Sequence, residues 1–256
     1  LTALRLDPNS VLDGFTITGG NAGGPEEGEH RSGAGLQMMG ASPTLLNCVF
    51  RHNMAMDYGG GVSMRDESHP NLTQCLFADN LAGTGGGAAM RPHCRPVLTD
   101  CRFVGNKAVG RFVAGHVVAY PDGGGIFNDH STSTLVNCAF RDNRAGNGGG
   151  MYHSSPLSAK LTHCTFRGNH ADGGGGLCVS YGGRPALVHC VFVANTAGVG
   201  AGMVNANRSN SILVNCRFSG NSAHEGGGFT NEGASGATLM GCLFSGNRAV
   251  GNGAAL

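Results

Sequence analysis

The sequence repeats itself with a fixed period. Residues 137–151, Asn-Cys-Ala-Phe-Arg-Asp-Asn-Arg-Ala-Gly-Asn-Gly-Gly-Gly-Met, are one copy of a unit with Leu three residues before a Cys, Phe two after it and Asn five after it. Aligned on Cys48, Cys75, Cys101, Cys138, Cys164, Cys190, Cys216 and Cys242, the eight copies are spaced by 27, 26, 37, 26, 26, 26 and 26 residues. Such a period marks a stacked repeat, in which each unit buries its apolar face on its neighbours, and it overrides a domain count taken from length. A degenerate ninth copy opens the chain, where Leu12, Phe15, Ile17 and Asn21 take the Leu, Cys, Phe and Asn parts. We therefore expect one domain over 1–256. Because the first and last copies are incomplete, the domain reads as a fragment of a longer chain.

The spacing within a copy fixes the local geometry. Cys and Phe, two apart, share one face of a strand, whereas Leu and Cys, three apart, fall on opposite faces unless the chain bends between them. The residue before Cys is Asn47, Gln74, Asp100, Asn137, His163, His189, Asn215 or Gly241, mostly types that tolerate left-handed backbone, with Gly14 in the degenerate copy. A run of glycines then turns a corner into an apolar residue such as Val62, Ile126, Met151, Leu177, Met203 or Phe229. The pattern predicts an all-β parallel β-helix of about nine coils of about 26 residues, with three short strands per coil. At about 4.8 Å per coil it would be a rod roughly 43 Å long, with Leu, Cys, Phe and Met in columns and Asn143 and its equivalents in a side-chain ladder. A helical solenoid is excluded: three or four Gly per repeat would cost about 1 kcal/mol each, and no 3.6-residue apolar period appears.

Composition narrows the function. A net charge of +1 gives no electrostatic case for nucleic acid or an anionic membrane. No run of about 18 apolar residues is present to span a bilayer as a helix. The column cysteines read as small apolar core residues with free thiols, because vertically stacked Cβ atoms about 4.8 Å apart and parallel suit a disulfide poorly. Cys94 and Cys178 lie off the column, about three coils apart. No Cys or His spacing suits a zinc site.

In these residues the chain resembles the right-handed parallel β-helix superfamily, to which the pectate-lyase-like enzymes belong, and especially the polymorphic outer-membrane protein repeat. The two signatures of that repeat, Phe-x-x-Asn and Gly-Gly-Ala followed by an aliphatic residue, read here FRDN with GGGM, FRGN with GGGL and FSGN with GGGF. The third position is usually Gly rather than Ala. The resemblance implies a secreted or cell-surface, outer-membrane-associated protein with an adhesive role. The catalytic Asp and Arg groups of the superfamily's enzymes have no matching positions here, so no catalytic residue is assigned.

Function is sought where the repeat is broken. The stretch from the ladder Asn to the last Gly is 7 residues in most coils, 8 after Asn53, 14 from Asn21 to Gly35 and 19 from Asn106 to Gly125. The two insertions, at 22–32 and 107–121, fall on one corner. They carry Glu26, Glu27 and Glu29 in the first and Phe112, His116 and Tyr120 in the second, with Asp57 and Tyr58 between them. Carboxylates for a cation or sugar hydroxyls and aromatics for stacking make this corner a candidate binding edge. Alternatively, the second loop folds over the side of the helix or meets another chain. A second candidate surface follows the glycines, where Arg65, Asp66, His93, Asp129, His130, His153, Tyr181 and Glu232 fall at near-equivalent offsets. There Asp66 and Asp129, two coils apart, approach the upper limit for paired catalytic carboxylates.

The sequence thus favours a non-enzymatic binding, adhesive or structural assembly module. Its partner would be a protein, a larger assembly or a glycan, with no nucleic acid and no transmembrane segment. No cofactor is implied, calcium being the one ion the glutamates would suit. The rival is a carbohydrate-active enzyme of the same fold, a polysaccharide lyase or glycoside hydrolase.

Overall fold

A computed structural model describes residues 1–24, 31–113 and 116–253. Three parallel sheets of nine strands run along it. The first sheet runs from Thr2–Leu4 to Phe229–Asn231, the second from Val11–Asp13 to Gly236–Met240 and the third from Thr16–Thr18 to Leu243–Ser245. The chain visits the sheets in turn, one strand of each per coil, which is a parallel β-helix. A fourth, shorter column, unexpected from the repeat, follows the ladder Asn. It comprises two four-stranded pieces, ending at Lys107–Ala108 and beginning at His170–Gly173, linked through bridges at Arg144. Its first residue varies from coil to coil, but its second is Ala in every one, from Ala22 and Ala55 to Ala223 and Ala249, a recurrence that the Leu, Cys, Phe and Asn pattern leaves out.

The bend before Cys is made as the spacing requires. Asn47, Gln74, Asp100, Asn137, His163, His189 and Asn215 have φ between 52° and 55°, and Gly14 and Gly241 lie at 72° and 62°. Leu and Cys therefore both point inward. Register is kept without slippage, Leu45 pairing with Leu72, Leu72 with Leu98 and Leu98 with Leu135. The first coil corrects one expectation. Gly20, not Asn21, stands at the ladder position, its N–H donating to Asn53 Oδ1 at 2.9 Å, while Asn21 pairs with Met54 one place further on. Phe15 takes the place of Cys but is 56% exposed, since no earlier coil covers it here.

Inside, the phenylalanines form one stack from Phe50 to Phe244 with centroids 4.5 to 5.1 Å apart and planes within 10°. Contacts of this kind add about 0.5–1.5 kcal/mol each beyond area burial. The ladder runs from Asn53 to Asn247, each side-chain Nδ2 donating to the next Oδ1 at 2.9–3.0 Å. Nδ2 of each rung from Asn80 on also donates to a Phe carbonyl of the preceding coil, as Asn143 does to Phe103 O at 2.9 Å. Both amide hydrogens are thus used in a buried place where an unmade bond is costly.

The glycine corner is set by contact and by backbone. Gly148 has φ 63°. A Cβ on Gly150 would come within 2.7 Å of Phe166 Cδ1 and 2.6 Å of Gly176 O, which is why Gly displaces Ala at the third position. All ten cysteines are free thiols, nine of them buried and Cys242 half-buried.

Candidate functional site

Where the first insertion rejoins the coil, the Asp57 N–H donates to Arg31 O at 3.0 Å. Glu26, Glu27 and Glu29 lie outside the described residues. Phe112 and His116 lie on an antiparallel hairpin, Arg111–Val113 with His116–Ala119, which folds back along the rod. At its base Arg111 forms an ion pair with Asp57, both mostly buried. Tyr58 is likewise engaged: the Arg91 guanidinium lies 4.7 Å from its ring centre, and its ring tilts against Phe127 at 6.2 Å. Asp57 holds the base of the second loop, and Tyr58 packs on residues at the ends of the first sheet's strands. Tyr120 is separate from them, 64% exposed and turned toward a different feature.

That feature is a groove of about 640 Å³ on the outer face of the first sheet. Alternation along each strand puts every second side chain outward. In successive coils one outward position holds Phe127, Tyr152, Cys178 and Val204, and the next holds Asp129, Ser154 and Ser180. Phe127 and Tyr152 stack at 5.7 Å. Tyr152 is only 6% exposed, although it points away from the interior, because Phe127, Cys178, Val204 and Val199 pack around it as a second small core. Above this floor stand Tyr120, Asp122 and Asn147 from the corner, and Tyr181, Asn207 and Glu232 from the turns after the strands. Tyr181, 63% exposed, is held at φ 53° in its turn.

The polar groups are positioned by hydrogen bonds. Asn147 Nδ2 donates to Asp122 Oδ1 at 2.9 Å, and Asn207 Nδ2 to Ser180 Oγ at 2.8 Å. Burial pushes the Asp122 carboxyl up to about 6, against the opposing pull of the Asn147 hydrogen bond. Burial, and then the charge of Asp122, push the Tyr152 phenol well above its ordinary value. Asp129 pairs with His130 Nδ1 at 2.7 Å. A groove with an aromatic floor, two exposed tyrosines and scattered carboxylates and amides suits a ligand with flat apolar faces and many hydroxyls.

The residues expected after the glycines divide between three places. Asp129, Tyr181 and Glu232 line the groove. Arg65, Asp66 and His93 line a neighbouring depression of about 440 Å³ with Glu67, Arg91 and Pro92. Asp66 sits 3.5 Å from Arg65 in one hollow, and Asp129 pairs with His130 in the other. His153 points inward and is fully buried. Its Nδ1 accepts from Asn128 Nδ2 and its Nε2 donates to Leu157 O, each at 3.0 Å, and burial lowers it to about 4. Among the described residues no three His, Cys, Asp or Glu side chains converge to hold a metal ion. Asp122, Phe127, Tyr152 and Asn147 escaped the sequence reading. A signal was present, for Phe127, Tyr152, Cys178 and Val204 put apolar residues at a position that alternation sends outward.

A family model for the right handed beta helix region matches residues 4–120 and 113–256. No curated protein matches the sequence. A solved structure titled "Glycoside hydrolase" is similar at 11% identity with a TM-score of 0.30, the overlap covering 86% of this chain and 38% of that one. The chain thus spans well under half of that protein, and a likeness at this level carries no argument about activity. With its family model matched over nearly the whole length, the chain belongs to the right-handed β-helix family.

Proposed function

We propose that the chain is a non-enzymatic binding module, and that the groove on the outer face of its first sheet holds an extended oligosaccharide. The observation that carries this reading is the pair of exposed tyrosines, Tyr120 and Tyr181, on one groove with a Phe127–Tyr152 floor and hydrogen-bonding groups between. Tyrosine rings exposed at a groove rim stack on sugar faces, and Asp129, Asn207 and Glu232 bond hydroxyls. The groove crosses five coils, from Phe127 to Glu232, hence roughly 19 Å along the axis, which suits a chain of sugars rather than one ring. A secreted or cell-surface location is part of the proposal.

One observation favours the enzymatic alternative, a glycan-cleaving role. Asp122 holds its proton to about pH 6, as a general acid must. A glycan array probed with the intact protein and with Tyr120→Ala/Tyr181→Ala separates the readings. Binding that the double variant loses supports the module. Release of reducing ends from the bound glycan, lost in Asp122→Asn, supports the enzyme. Glycan capture that is indifferent to both tyrosines, or none by the folded protein, removes the groove as the site.

A further inference from the structure

The Cys column is more than packing. Cys48, Cys75, Cys101, Cys138, Cys164, Cys190, Cys216 and Cys242 occupy the same rung position in eight successive coils. The rung spacing is measured on either side of the cysteines: His163 and His189, one residue before, stack at 5.1 Å, and Phe166 and Phe192, two residues after, at 4.8 Å. Neighbouring thiols lie within reach of one another, Cys138 facing Cys101 on one side and Cys164 on the other. Each thiol has only backbone carbonyls as other partners, Cys138 Sγ lying 3.5 Å from both Leu98 O and Val136 O.

We infer that the column is a binding site for soft, two-coordinate monovalent cations, the class of Cu⁺ and Ag⁺, with one cation seated between each pair of successive sulfurs. Two metal–thiolate bonds of the zinc length, about 2.3 Å, would place the sulfurs about 4.6 Å apart across a linear ion, and the phenylalanines two residues on are 4.5 to 5.1 Å apart along the whole column. The side chains project across the axis while the ions lie along it, so the bond angle at sulfur is near a right angle. Imidazole pairs fit worse, since the His163 and His189 rings stack face to face at 5.1 Å and their nitrogen lone pairs lie in the ring planes, not along the axis between them. Zinc is excluded because it takes four ligands in a tetrahedron, and each gap offers two. Soft thiolate ligands select the monovalent copper class.

Charge balance fixes the stoichiometry. One isolated thiolate–cation–thiolate unit would leave a negative charge in the core, at a cost of several kcal/mol. Filling every gap avoids this. Eight sulfurs bound seven gaps; seven cations enter, seven S–H bonds break, seven protons pass to solvent, fourteen metal–sulfur bonds form and one thiol keeps its proton, leaving no net charge. Uptake is therefore cooperative.

The test is a silver titration of the folded chain in a Cys94→Ser/Cys178→Ala background, followed by native mass spectrometry, proton release and far-ultraviolet circular dichroism. The expected result is a cooperative step of seven Ag⁺ and seven protons with the β signal retained. Cys138→Ala divides the column into three and four rungs, so uptake falls by two, to five; Cys190→Ala gives the same five from five and two rungs, should Cys138→Ala fail to fold. Cys242→Ala, at the end, removes only one. Loss of a single ion for internal and terminal variants alike means independent thiols and overturns the proposal, as does uptake that abolishes the β signal.

Discussion

Asn106 and Asn143 are 37 residues apart in sequence, yet Asn106 Nδ2 donates to Asn143 Oδ1 at 3.0 Å, the same contact that every 26-residue step of the ladder makes. The insertion between them leaves the register untouched because its extra residues leave and rejoin the coil at one corner. Replacing 109–120 by a short Gly-containing corner is therefore expected to keep the β-helix. The cost is about 1–3 kcal/mol, most of it from Asp57, which loses Arg111 as its partner. Urea unfolding of the shortened chain measures it, and Asp57→Asn in that background is expected to recover part of the loss.

The ladder itself is the costlier place to cut. Asn143 donates to Asn169 Oδ1 and Phe103 O and accepts from Asn106 through both its backbone N–H and its side chain. Asn143→Ala leaves several of these groups buried and unpaired, at about 1–3 kcal/mol for each. A loss of roughly 3 kcal/mol or more in urea is expected. A loss below about 1 kcal/mol would mean that the ladder follows the fold rather than holding it.

Inward and outward positions separate in the same coil. Phe140→Ala opens a cavity in the stack and is expected to cost about 3–5 kcal/mol. An exposed Asp would ordinarily be replaced by Ala for under about 0.5 kcal/mol, but Asp142 sits at φ 54°, where Ala is penalised by about 1 kcal/mol or more. Asp142→Gly is then expected to be close to neutral, as Gly105 and Gly168 at the equivalent places imply. Thermal melts of the three variants give the order Phe140→Ala, Asp142→Ala, Asp142→Gly.

These cases show what a repeat discloses. Leu, Cys, Phe and Asn recur because each meets a copy of itself above and below, so their roles can be read from identity and spacing alone. The residue before Cys varies from Asn to His to Gly, and was still legible, because what recurs there is backbone conformation. The groove was legible only at its rim, in Tyr120, Asp129, Tyr181 and Glu232; Asp122 and Tyr152 each occur once and acquire meaning only from neighbours one coil away. Tyr120 was singled out for the right exposure and the wrong company: only the hairpin's fold, with Arg111 on Asp57, shows that Tyr58 and Tyr120 serve different contacts.

Acid should reveal two buried groups that hide one another. Burial lowers His153 from 6.5 to about 4, so the folded chain binds fewer protons there than the unfolded chain, and stability falls as pH drops through that window. Burial raises Asp122 from 3.8 to about 6, so the folded chain binds more protons and stability rises as pH drops through nearly the same window. Each is worth roughly 3 kcal/mol over its full range, and the opposite signs cancel between about pH 4 and 6 in the native chain. Asp122→Asn is expected to uncover the histidine, with stability declining on acidification by up to about 1.4 kcal/mol per pH unit. His153→Leu should uncover the carboxyl and make stability climb instead. Urea midpoints at pH 4, 5, 6 and 7 test both, and parallel profiles for the two variants would show that the groups do not titrate as their burial demands.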